Sequence, residues 1–170
     1  MRRELLLGAG TRHLKVASFP GYENWEDLTT LDIDPDAKPD VLWDLNTRPL
    51  PFFNDTFDEI HAYEVLEHVG QQGDWRGFFA EFSEYWRILK PGGHLFATCP
   101  AITSPWLWGD PGHVRTIQPE TLTFLSQEQY RAQVGHTPMT DYRAIYKADF
   151  VSVFHKATDG TFSFVLKAIK

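Results

Sequence analysis

The stretch "DTFDEIHAYEVLEHVG", residues 55–70, decides how this chain is read. Its first half, FDEIHAY (57–63), carries Phe57, Ile60 and Ala62 and reads as a strand running through a core. Its second half reads as the start of a helix. His61, Glu64, Glu67 and His68 crowd at or just past the join. Acids and histidines cost free energy in a core, so a chain that gathers them where a strand runs out has a use for them there.

Working outward, the neighbouring segments alternate in type. ELLL (4–7), LTTLDID (28–34), DVLWDL (40–45) and HLFATCP (94–100) read as strands. Residues 74–89 read as a helix, because Phe78, Phe79, Phe82, Tyr85, Trp86 and Leu89 recur at three-to-four spacing; the stripe is a core face. "KPGG" (90–93) is a helix stop and a tight turn. Residues 119–134 open with Pro119 and early acid, a helix start. Residues 142–157 and 161–170 alternate as strands, and "TDG" (158–160) joins them as a hairpin. Strands alternating with crossovers imply a mostly parallel α/β sheet, with the hairpin as an antiparallel edge. In such a sheet ligands bind outside the carboxyl ends of the strands. Gly8–Gly10, Asp32–Asp34, Asp44, residues 61–68 and Pro100 onward all fall on that edge.

Bulk properties limit the ligand. The chain has 170 residues, enough for one domain with a real core, and is 42% hydrophobic and 15% aromatic, which argues against disorder. A net charge of −7 weighs against a nucleic-acid groove, which needs clustered Lys and Arg. One cysteine, Cys99, excludes an internal disulfide and a Cys-based zinc cluster. No apolar run approaches the roughly 20 residues that span a bilayer. "MRRELLLGAG" is too short in its apolar part for a signal peptide and reads as a strand and turn of a cytoplasmic protein. Oligomeric state is left open.

Gly8 and Gly10 suit a sharp turn with close backbone approach to a ligand. Asp32, about 20 residues on, can accept both hydroxyls of a ribose. A dinucleotide fingerprint would need glycine at position 13, where His13 stands, which speaks against a nicotinamide-dependent oxidoreductase. Asp44 can accept from an exocyclic amine, or can serve as a turn residue.

The segments "LLLGAG", "LDIDP", "DLNTRPLPFFNDTFDEIHAYEVLEH" and "EYWRILKPGGHLFATCP" resemble, in order, the motifs of the class I S-adenosylmethionine-dependent methyltransferases. The likeness covers roughly residues 4–100 and is greatest to the small, type 11-like enzymes of bacteria and their phages. It implies a Rossmann-like three-layer sandwich: a seven-stranded, mostly parallel sheet with an antiparallel C-terminal hairpin. It implies S-adenosylmethionine as cofactor, with Gly8, Ala9 and Gly10 under its methionine part and Asp32 on the ribose. Ile33 would lie against the adenine, and Asp44 and Leu45 at the adenine edge. Ala62 and Tyr63 would line the sulfonium region, and Glu64 and His68 would face the methyl group or close over the cofactor. Three features depart from the pattern. Arg12 replaces a third glycine, Leu7 replaces an acid, and Pro20 and Gly21 interrupt the span where a helix should follow. Reduced N-terminal helices are therefore expected, with Arg12 on the cofactor carboxylate.

The acceptor side is expected beyond the fifth strand, giving a cofactor-binding half (1–100) and a substrate half (101–170) of one domain. The long loop "CPAITSPWLWGDPGHVRTI" (99–117) leaves from the ligand edge. His113 is the candidate base for a small-molecule acceptor, with Asp110 orienting its ring and Trp106 or Trp108 as a wall; a turn with a capping His is the alternative. Arg115 could bind an acidic substrate group or pair with an acid. A metal held by His61, Glu64, Glu67 and His68 is not expected, since these do not share a face. Loss of turnover through the altered first motif would leave a binding or scaffold protein, with the tryptophans as an interface.

Overall fold

The computed structural model describes residues 1–170. Seven strands form one sheet: β1 (Arg3–Leu7), β2 (Asp27–Asp32), β3 (Val41–Leu42), β4 (Phe57–Tyr63), β5 (Leu89–Pro100), β6 (Phe150–Ala157) and β7 (Thr161–Ala168). Their order is β3-β2-β1-β4-β5-β7-β6. β1 to β5 run parallel, and β7 is antiparallel to both β5 and β6. The order reverses between β1 and β4, whose ends Leu7 and Ala62 lie in register, so the ligand edge expected from the sequence has its switch point there.

Helix α1 (Trp75–Ile88) starts on Asp74, whose side chain accepts from Gly77 N. It lays Phe79, Phe82, Tyr85 and Ile88 against Leu5, Leu7, Leu31, Ile60, Leu95 and Ala97 of the sheet. Each such buried side chain contributes about 1.5–3 kcal/mol of transfer free energy. Leu89 already pairs with Phe57 and His94 with Glu59, so "KPGG" is a bulge inside β5 rather than a turn before it.

Two helical and strand segments are shorter than the pattern suggests. Residues 119–134 form α3 (Pro119–Thr123) and α4 (Gln127–Gln133), following the single turn α2 (Trp106–Gly109). The break comes where the Leu125 carbonyl accepts from Phe150 N and Tyr146 Oη, and Ser126 caps the new helix through Gln129 N. Residues 142–149 do not join the sheet, because Gln127 Nε2 takes the carbonyls of Tyr146 and Ala148.

No helix links β1 to β2. The second face of the sheet is covered instead by irregular chain from residues 11–26. Phe19 packs edge-on to His94 and Phe96, and Trp25 edge-on to His61. Glu4, Glu59 and His61 are buried on this face, and Lys15 enters it to pair with both glutamates. Arg2 adds a 3.0 Å contact to Glu59. Buried ions need such partners because their hydration is lost.

Candidate functional site: a crevice at the carboxyl edge of the sheet

Gly8 and Gly10 end β1 with φ of +58° and +52°, a backbone that non-glycine residues adopt only with strain. A Cβ at Gly8 would lie 2.3 Å from Val65 Cγ2, so Val65 rests directly on this glycine. Gly10 N donates to Asp32 Oδ2 at 2.8 Å, and Asp34 N to Asp32 Oδ1 at 2.9 Å. Asp32 thus ties the glycine turn to the end of β2. Each of its oxygens keeps a second lone pair for a ligand.

Beside it opens a crevice of about 400 Å³, lined among others by Gly8, Asp32, Ile33, Trp43, Asp44 and His68. Its size suits a cofactor-sized ligand. Ile33 is 65% exposed, an apolar side chain standing at a cavity wall. Leu45 lines the crevice from the core side. The other residues singled out in the sequence lie around the crevice rather than in its wall. Ala9 N donates to Leu31 O, Arg12 is exposed on the following loop, and Ala62 is buried between Leu7 and Ala97. Tyr63 turns to the second face, where its hydroxyl meets Ala17 and His61 Nδ1. Glu64 is exposed with φ +53°, a strained backbone at the strand end. Trp43, Asn46, Val65 and Val69 line the crevice without having been singled out as ligands. The signal for Trp43 was its place before Asp44; Val65 and Val69, plain apolar residues, carry none.

A second group of residues meets at the rim. The turn Leu66–His68 presents Glu67 and His68, and the loop after β5 brings His113 to them. Val114 N donates to Glu67 O at 2.9 Å, and Arg115 Nε to Leu66 O at 2.8 Å, which holds the two segments together. Arg115 is buried and forked onto Glu81 of α1 at 2.7 and 2.8 Å; it pairs with an acid and is not free for a substrate. His113 Nδ1 donates to the Leu107 carbonyl at 3.1 Å. Its Nε2 stands 3.8 Å from Asp110 Oδ2 and 3.9 Å from Glu67 Oε1, beyond hydrogen-bond length. Leu107, rather than Asp110, therefore sets the ring's orientation. Burial pushes the Glu67 carboxyl up, and the Glu64 carboxylate adds to it. His61 is not part of this group, lying with Glu59 on the second face. A further cavity of about 210 Å³ is lined by Trp75, Phe79, Tyr142 and Arg115, the last already committed to Glu81.

The family described as "Methyltransferase domain" matches residues 7–97, more than half of the chain. No curated protein matches it. Among solved structures, the chain is similar to a SAM-dependent methyltransferase from Archaeoglobus fulgidus at 16% identity and TM-score 0.60, covering 98% of this chain and 86% of that one. It is also similar to the N-methyltransferase NodS from Bradyrhizobium japonicum WM9 in complex with S-adenosyl-L-homocysteine (17%, TM-score 0.56, 99% and 79% covered). A Haloferax volcanii methyltransferase in complex with the Trm112 methyltransferase activator is similar at 16% identity and TM-score 0.61, with 99% and 82% covered. The strand order, the glycine turn bound to an acid at the end of β2, and this family match agree: the chain belongs to the methyltransferase-domain family, of the class I S-adenosylmethionine-dependent kind.

Proposed function

We propose that this protein binds S-adenosylmethionine in the crevice and transfers its methyl group to a small-molecule acceptor by in-line displacement. The observation that carries the reading is the open 400 Å³ crevice with the buried Asp32 carboxylate in its wall, beside the glycine turn. Asp32 accepts the ribose hydroxyls through its free lone pairs. Ile33 and Trp43 flank the adenine, and Asp44 and Leu45 meet its edge. Gly8, Ala9 and Gly10 carry the methionine end, and exposed Arg12 reaches its carboxylate. Ala62 and Tyr63 border the sulfonium end through their backbone, and Glu64 and His68 through their side chains.

The acceptor's lone pair attacks the methyl carbon as the sulfur–carbon bond breaks, and that bond's electrons return to sulfur, giving a neutral thioether. The sulfonium is already activated, so alignment at about 3–3.5 Å supplies much of the acceleration. An acceptor that must lose a proton gives it to the free Nε2 of His113, with Asp110 beside the imidazolium that results. We assign residues 1–100 to the cofactor half and 101–170 to the acceptor half of one domain, and we place the protein in the cytoplasm.

Isothermal titration with S-adenosylmethionine and S-adenosylhomocysteine tests the reading. Binding of both is expected, and binding of neither ends it. Val65 seated on Gly8 favours a second reading, because it narrows the path of the methionine end. In that reading the protein is a scaffold or partner subunit, using exposed Trp106 and Trp108. Transfer of labelled methyl to an acceptor extract separates the two.

A further inference from the structure

Glu67 presents an electrostatic problem that the chain itself leaves unsolved. The residue is 1% exposed, and neither carboxylate oxygen has a hydrogen-bond partner. A carboxylate in that state is unfavourable by several kcal/mol unless a cation or a proton meets it. The groups that face it are two imidazoles and the buried thiol of Cys99. One carboxylate oxygen of Glu67 and one ring nitrogen each of His68 and His113 lie within 4.8 Å of one another.

The tautomers of both rings are settled by their backbone contacts. His68 Nδ1 is 3.0 Å from the Gly112 carbonyl and His113 Nδ1 is 3.1 Å from the Leu107 carbonyl. A carbonyl only accepts, so in each neutral ring Nδ1 carries the hydrogen and Nε2 the lone pair. The Nε2 of His113 then faces Glu67 at 3.9 Å and Asp110 at 3.8 Å, lone pair toward carboxylates with no hydrogen between them. Imidazoles held by one nitrogen on a backbone carbonyl, with the other free, are the usual outer support of metal-ligating histidines. Ligand atoms around a tetrahedral ion with bonds of about 2.0–2.1 Å stand roughly 3.4 Å apart, so the cluster needs only small closure.

We propose that Glu67, His68 and His113 bind one divalent transition-metal ion of the zinc, cobalt or manganese class. Two imidazoles and a carboxylate suit these ions, whereas calcium and magnesium prefer all-oxygen sites. Cys99 is buried nearby but does not belong to the group of ligand atoms that lie within 4.8 Å of one another. The site shares His68 with the crevice wall. An ion there would stand between the cofactor crevice and the tryptophan loop, where an acceptor oxygen or nitrogen could complete its shell. In the loaded form His113 is a ligand and no longer a free base. The proposal does not depend on cofactor binding.

Untagged, chelator-stripped protein is titrated with Co²⁺ alone, following visible absorption and heat, and Zn²⁺ and Mn²⁺ are then used as competitors. One equivalent is expected to bind with a visible band; Zn²⁺ is expected to remove it, and Mn²⁺, the weaker binder, only in large excess. His68→Ala, at an exposed position, and Glu67→Gln, which keeps volume, are each expected to weaken binding at least about 10-fold with unchanged circular dichroism. No Co²⁺ binding by the wild-type protein, or wild-type affinity retained in either variant, overturns the proposal and leaves a proton as the partner of Glu67.

Discussion

Lys15 Nζ and Glu59 Oε2 stand 3.1 Å apart on the second face of the sheet, with both side chains almost wholly shielded from solvent. Lys15 also pairs with Glu4, so one ammonium holds an irregular covering segment onto two strands where the sequence resemblance implied a helix. Removing it leaves two buried carboxylates with Arg2, His61 and the Glu26 N–H as partners. Lys15→Met is expected to lower the unfolding free energy by about 3 kcal/mol, the lower end for breaking a buried pair. Urea unfolding at pH 7 reads it; a loss under about 1 kcal/mol would mean that the network contributes little.

The same network makes stability depend on acid. Burial opposes the charge on Glu59, but the hydrogen bonds from His61 and Lys15 and the charge of Lys15 outweigh it and hold its carboxyl at about 2. Its unfolded value is about 4.3. A folded value below the unfolded one stabilises fully above about pH 4.3, and that contribution drains away as pH falls toward 2. Burial pushes His61 down, so it resists protonation in the fold and costs stability as pH falls through its unfolded value of about 6.5. Denaturation midpoints should therefore drop from pH 7 to 5 and again from 5 to 3. The second drop should shrink in Glu59→Gln.

Gly8 and Gly10 should tolerate alanine differently. Both have positive φ, worth roughly 1–2 kcal/mol against alanine. At Gly10 a methyl group meets nothing within 4 Å; at Gly8 it meets Val65. Gly8→Ala is expected to cost about 1–3 kcal/mol more than Gly10→Ala, the range for overpacking. The double variant Gly8→Ala, Val65→Ala should recover part of that difference in thermal unfolding; simple additivity would refute the contact.

Asp32→Asn keeps the volume of the side chain and removes the charge proposed to accept the ribose hydroxyls. A hydrogen bond to a charged group is worth about 1.5–3 kcal/mol, so cofactor affinity should fall roughly 10- to 100-fold in titration calorimetry. An unchanged affinity would place the nucleoside elsewhere.

Glu64 adopts φ +53° in a non-glycine residue, while its backbone N–H donates to Thr98 O at 2.9 Å. Glu64→Gly relieves the strain and should raise stability by up to about 1 kcal/mol, while slowing methyl transfer if its side chain faces the reacting group. A variant both more stable and fully active would remove Glu64 from the proposed site.

Some of this was readable before any coordinates. FDEIHAY (57–63) carries its strand signal locally, and β4 has those bounds. The Asp159–Gly160 turn likewise declares its hairpin. The broken helix after Pro119 did not, because its interruption is made by Tyr146 and Phe150, which reach Leu125 from a later segment. The charges of Glu4, Lys15 and Glu59 carry no local signal, and only the adjacency of β1 to β4 turns them into a buried cluster. His113 was visible as a candidate base. Its meeting with Glu67 depends on backbone bonds between residues far apart in the chain, and these leave no local pattern.

The forked grip of Arg115 on Glu81, with its third contact to the Leu66 carbonyl, sets how the proposed acceptor arm can move. It acts as a rivet at the root of that arm. Any swing that admits an acceptor must be confined to the tip around Trp106 and Trp108, and His113, one residue removed from the rivet, should keep its alignment with Glu67 and His68 through every opening.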